Sequence, residues 1–91
     1  MTAAELQNRA LVIDGLSYHS DGYTGDLRAG GINALNVTLN HFEADFTESC
    51  EKIAGWLAYM AVPDAEWAPI RQASDLAAAK DAGKIGLIMG W

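Results

Sequence analysis

Cysteine is almost absent from this chain. Cys50 is the single one, so no disulfide can form within the chain and no zinc knuckle can be built from paired cysteines. That usage fits a reducing, cytoplasmic setting. Basic residues are scarce too: six Lys and Arg stand scattered against twelve Asp and Glu, a formal net charge of −6. Neutralising phosphates needs clustered cations, so nucleic acid is not an expected partner. Long apolar runs are missing as well. No stretch approaches the roughly 20 residues of a membrane helix, and the first ten residues carry Glu5 and Arg9 where a secretory signal needs an apolar core. Neither a membrane partner nor secretion is expected. Gly22, Gly25, Gly30 and Gly31 lack the spacing and the Lys-Ser/Thr ending of a phosphate loop. Asn36-Val37-Thr38 spells a glycosylation sequon, but it falls inside a predicted buried strand and reads as strand sequence.

What is present is half hydrophobic, 51%, and is ordered as alternating strands and helices. Thr2 with Glu5 three residues later is a capping box for a short helix over residues 3–9. Strand one is expected from Ala10 to Leu16, and the polar, glycine-containing loop from Ser17 to Gly25 follows its carboxyl end. A short helix over Asp26 to Ala29 closes on Gly30-Gly31, and strand two runs from Ile32 to Leu39. Asp45 with Glu48 opens an amphipathic helix to Ala61, in which Phe46, Cys50, Ile53, Trp56, Leu57 and Met60 recur at three- and four-residue intervals. Pro63 ends it, and the segment to Pro69 is expected to be a connector anchored by Trp67 and Ile70. Ser74 is expected to cap a helix over Asp75 to Ala82, closed by Gly83, before strand three over Ile85 to Met89. No repeat, low-complexity tract or flexible linker interrupts this order.

A parallel sheet needs both faces covered, and this chain carries too few helices to cover such a sheet. A (β/α)8 barrel takes about 250 residues. The expectation is therefore an α/β fold: residues 1–91 as a single partial domain, the first βα units of a TIM barrel with about three strands and intervening helices.

The strings Val12-Ile13-Asp14-Gly15, Asp26-Leu27-Arg28-x-Gly30-Gly31-Ile32-x-Ala34, Asp75-Leu76 and Gly83-Lys84-Ile85-Gly86-Leu87-Ile88-x-Gly90 stand in an order and spacing that resembles the N-terminal part of the membrane (renal) dipeptidase family of metallopeptidases. The likeness runs over essentially the whole chain. It implies an amidohydrolase-like (β/α)8 barrel, zinc as the cofactor, and a metal-activated water that hydrolyses a dipeptide or related amide bond. Members of that family carry a His-x-Asp pair directly after the Asp-Gly of strand one. Here those positions are Leu16 and Tyr18, and neither replaces imidazole or carboxylate on zinc. The family's bridging glutamate follows strand three, where this chain reads Gly90-Trp91, and two further histidine ligands lie later in the family. The resemblance is thus to an atypical member, and the 91-residue chain alone is expected to be inactive.

The remaining candidate residues sit where a barrel carries its chemistry, at the carboxyl ends of the strands. His19-Ser20-Asp21 is a His-x-Asp three residues late, a possible pair of metal ligands or a solvated loop pair. His41, with Glu43 and Asp45 nearby, follows strand two and is the candidate for contacting substrate, set against a plain surface histidine. Asp14 is expected to order its own turn through backbone amides, and Cys50 to be buried in the helix stripe. Trp56, Tyr59 and Trp67 are expected in a core or interface. Three functions fit: a metallodipeptidase acting on a small peptide or amide, a metal-site-degenerate ligand-binding relative, or a homo-oligomer whose copies cover one another's sheet edges.

Overall fold

The computed structural model describes residues 1–18 and 23–90. Helix α1 (Ala3–Arg9) leads into β1 (Ile13–Ser17), α2 (Thr24–Ala29) into β2 (Ala34–Thr38), α3 (Phe46–Met60) into β3 (Trp67–Pro69), and α4 (Ala73–Asp81) into β4 (Ile85–Gly90). The four strands form one parallel sheet in the order β1-β2-β4-β3. The sheet is open, with β1 and β3 at its edges. Two findings differ from the sequence reading. The expected connector contains a strand, β3, and the chain passes over the place of β4 to reach it before α4 brings it back. What was expected as strand three is β4, an interior strand.

Local chemistry explains the helix ends. Thr2 Oγ1 accepts from the Glu5 amide while Glu5 Oε2 accepts from the Thr2 amide, the expected capping box. The Asp45 carboxylate accepts from the Glu48 amide at 2.8 Å and starts α3. Both α2 and α4 end in a left-handed glycine: Gly31 at φ 75° and Gly83 at φ 72°. In each, the next residue donates back five positions, Ile32 to the Leu27 carbonyl and Lys84 to the Ala79 carbonyl, which turns the chain sharply into the following strand. The start of α4 corrects the expectation. Its N-cap is Gln72, and Ser74 lies inside the helix, because the Asp75 carboxylate turns back to accept from the Arg71 and Gln72 amides at 2.9 and 3.2 Å.

Those donors, the Arg71 amide first, hold the Asp75 carboxyl below the ordinary aspartate range. A depressed folded-state pKa contributes stability above the unfolded value and loses it as pH falls through the folded one. Asp75→Ala should therefore be less stable than the parent near neutrality, and the difference should close on acidification. Urea unfolding at about pH 7 and about pH 2.5 measures both points.

Alternation within the strands divides the sheet into two unlike faces. Leu35 pairs with Leu87, Val37 with Met89, and Trp67 with Ile85. Leu35, Val37, Leu39, Trp67, Ile85 and Leu87 form the buried core with Met60 of α3, and Ile53, Trp56 and Leu27 pack against it. Trp56 meets Trp67 edge-on at 6.0 Å between ring centroids and Tyr59 at 5.8 Å. The other face presents Ala34 beside Gly86 and Ala68, Asn36 beside Ile88, and Thr38 beside Gly90. Apart from Ile88 its side chains are small or polar, and most of the face is half-buried. The edge strand β1 keeps Ile13 and Leu16 at 42% and 74% exposure. The accessible surface of 6076 Å² exceeds the roughly 5,100 Å² typical of a monomer of this mass.

The amino edge of the sheet is stitched by side chains from distant parts of the sequence. Lys80 Nζ donates to the Asn8 and Ala10 carbonyls at 2.7 and 2.6 Å, satisfying the carboxyl end of α1. Arg28 donates to the Gly83 carbonyl at 2.8 Å, and Gln7 to the Gly30 carbonyl at 2.8 Å. Arg28, Gly30, Gly31 and Gly83 belong to the strings that carry the family resemblance. Their work in this fold is structural, and it lies at the end of the sheet away from the cleft described next.

Candidate functional site

Because all four strands run the same way, their carboxyl ends share one edge, and an open cleft of about 410 Å³ lies there. Tyr18 from the end of β1 and Thr38, Asn40, His41, Phe42 and Ala44 from the end of β2 and the turn after it form its walls. A crevice outside the carboxyl ends of parallel strands is where α/β folds place ligands.

His41 is the most chemically committed side chain of the cleft. Its Nδ1 lies 3.2 Å from the Glu43 backbone nitrogen and its Nε2 lies 3.0 Å from Glu48 Oε2. An amide N–H can only donate, so Nδ1 is the acceptor, and the neutral ring carries its proton on Nε2 and gives it to Glu48. Both side chains are about half exposed, 58% and 51%. Beneath them, Asn40 Nδ2 donates to Ser49 Oγ at 2.9 Å, and Ser49 Oγ donates to the Asp45 carbonyl at 2.8 Å. Two bridges thus fasten the turn to the first helical turn of α3, one exposed and one part-buried. Asn40 Oδ1 is buried with no hydrogen-bond partner among the described residues.

The sequence candidates divide. His19 and Asp21 lie outside the described residues. His41 lines the cleft as its position predicts, but the sequence reading missed Glu48 as its partner; the seven-residue separation hid it, since Glu48 was legible only as a capping residue. Asn40 and Ser49 were missed too, because a polar pair beside a strand end has no spacing signature. Asp14 Oδ1 accepts from the Leu16 amide at 3.1 Å, the expected turn bond. Cys50 is exposed, which corrects the expectation of burial. The buried side of α3 is centred on Ser49, Ile53, Trp56 and Met60, and at 100° per residue Cys50 lies about 90° around from it. Leu16 and Tyr18, which stand at the ligand positions of the resembled family, are 74% and 79% exposed, and Tyr18 lines the cleft.

Among the described residues no three His, Cys, Asp or Glu side chains converge as metal ligands, whereas zinc sites use three or four. His41 has both ring nitrogens engaged, and Leu16 and Tyr18 offer no imidazole or carboxylate.

Comparison with known proteins gives one informative match. An amidohydrolase from Pseudomonas aeruginosa, known from its crystal structure, superposes with a TM-score of 0.78 at 27% sequence identity, over 96% of this chain and 27% of that one. The chain thus spans about a quarter of that protein's length. No family model matches the sequence, and no curated protein does. The fold is amidohydrolase-like: a mixed α/β arrangement on a parallel four-stranded sheet. No helix among the described residues is long and apolar enough to cross a membrane.

Proposed function

We propose that this chain supplies the first strands of an amidohydrolase-type barrel that hydrolyses dipeptide or related small amide bonds, and that its contribution to the site is the substrate-facing wall around His41. The observation that carries the reading is the cleft at the carboxyl edge of a sheet that superposes on an amidohydrolase. The two unlike faces support the barrel. Helices pack on the Leu35, Val37 and Leu87 face, while Ala34, Asn36, Thr38, Gly86 and Ile88 alternate onto the opposite face, the side that a closed barrel would turn inward. In the resembled dipeptidase family, zinc supplies the activated water. The part read here for this chain is to bind and orient: His41 through its ring edge, Thr38 and Asn40 through polar groups, Tyr18 and Phe42 through apolar surface.

The test is direct. The purified 91-residue chain should hold no stoichiometric zinc by elemental analysis and release no product from a panel of dipeptides. A longer polypeptide that adds the later barrel strands should hydrolyse them, with His41→Ala raising KM. Zinc bound one-to-one by the 91-residue chain, with hydrolysis abolished by a chelator, would overturn the assignment of this chain to the substrate wall.

One observation favours a second reading. The exposed β1 edge and the excess surface suit copies of the chain pairing edge to edge in a reducing, cytoplasmic setting. A monomer by light scattering would remove it.

A further inference from the structure

We infer that His41 is a proton-operated latch on the wall of the cleft. The inference does not depend on the hydrolase reading, because it rests on the two bonds of one ring. In the neutral state the Nδ1 lone pair receives the Glu43 amide and Nε2–H is given to Glu48. The ring thereby ties the turn over residues 41–44 to α3. When the imidazole takes up a proton, the proton goes to Nδ1, the sole nitrogen with a lone pair. A donor then faces the Glu43 amide, itself a donor, and that bond is lost.

The bond to Glu48 changes in the opposite sense. Nε2–H already points at the carboxylate, and a positive ring turns this hydrogen bond into an ion pair. Protonation therefore holds the ring more firmly on α3 while it releases the chain at Glu43. The turn keeps the Ala44 amide to His41 carbonyl bond, 3.1 Å, and the buried Asn40 to Ser49 bridge. Phe42, which is 97% exposed, and Ala44 flank the freed Glu43 amide, and both line the cleft. Among the described residues the charged or titratable groups around the ring are Glu48 from α3, Glu43 and Asp45 from its own turn, and Tyr18 across the cleft from β1. These described neighbours are acidic or neutral.

Nuclear magnetic resonance on the 91-residue chain labelled with 15N at histidine and glutamate tests this between about pH 8 and about pH 5, the range in which imidazoles titrate. With two histidines in the chain, the spectrum of His41→Asn assigns the remaining signal to His19. At the upper pH, His41 is expected to show an unprotonated Nδ1 and a protonated Nε2. The protection of the Glu43 amide from hydrogen exchange, corrected for the intrinsic pH dependence, should fall about fivefold with the same midpoint as the ring. In His41→Asn, whose side chain can accept from the same amide without titrating, the protection should stay constant. In Glu48→Gln the ring keeps its Nδ1 acceptor, so the Glu43 transition should still coincide with the ring midpoint wherever that midpoint falls. A proton on Nδ1 at the upper pH, or Glu43 protection that ignores the ring midpoint, would overturn the latch. Should His41→Asn prove misfolded by circular dichroism, the coincidence of the two midpoints in the parent and in Glu48→Gln decides alone.

Discussion

Replacing Trp67 with alanine is expected to destabilise the chain by about 3–5 kcal/mol, out of a total that for a domain of this size is about 5–15 kcal/mol. Trp67 is fully buried, it belongs to the three-residue strand β3, and it packs on Trp56 of α3 while pairing in register with Ile85 of β4. Removing the indole leaves a cavity in the core that it shares with Leu35 and Leu87, which close-packed neighbours fill only in part. It also removes the main anchor of an edge strand with few backbone bonds of its own. Tyr59→Ala is the matched control: its ring touches the same Trp56, but the residue is 49% exposed, and the expected loss is about 1 kcal/mol or less. Urea unfolding followed by far-ultraviolet circular dichroism gives both values. A loss below about 1 kcal/mol for Trp67→Ala would place β3 outside the cooperative unit.

The second large effect is expected at Gly86, in the interior strand β4. A Cβ there would stand 2.7 Å from Ile70 Cγ1, 2.8 Å from Ile70 Cδ1 and 3.1 Å from the Ala34 Cβ. Ile70 lies across the small-residue face because Gly86 leaves it room, and its own amide is fixed to the Leu87 carbonyl at 2.9 Å. Gly86→Ala should cost about 1–3 kcal/mol from overpacking, although alanine is otherwise the better strand residue. Gly86→Val should cost more. The origin of the effect can be read from a double-mutant cycle with Ile70→Ala. Removing the two clashing carbons should restore part of the loss, a coupling of about 1 kcal/mol or more. Additive losses would mean that the strain comes from the backbone.

How far the sequence disclosed this fold depends on how local each signal is. Helix ends were legible because a cap is a contact between residues three or four apart: Thr2 with Glu5, Asp45 with Glu48, Gly31 and Gly83 at φ values that favour glycine. The interior strands were legible because β2 and β4 alternate on one buried face. Strand β3 was not. Three residues cannot show a period, and Pro69 argues against a strand except at an edge, which is where it lies. The stripe of α3 was read too wide, because apolar residues such as Phe46, 83% exposed, sit beside the buried side as well as on it. In the cleft, His41 was legible from its place after β2. Its partners were not, since Glu48 and Ser49 meet it only once α3 has folded back over the turn.

The separation between the stitched amino edge and the open carboxyl edge has a bearing on how this chain can drift. Lys80, Arg28 and Gln7 hold the scaffold together from one end, and Leu16 and Tyr18 stand at the other with most of their surface in solvent. Among the described residues the buried core does not include those two side chains. Mutation at the rim is therefore close to neutral for folding, and selection can add or discard chemistry there while the architecture underneath stays silent about which of the two has happened.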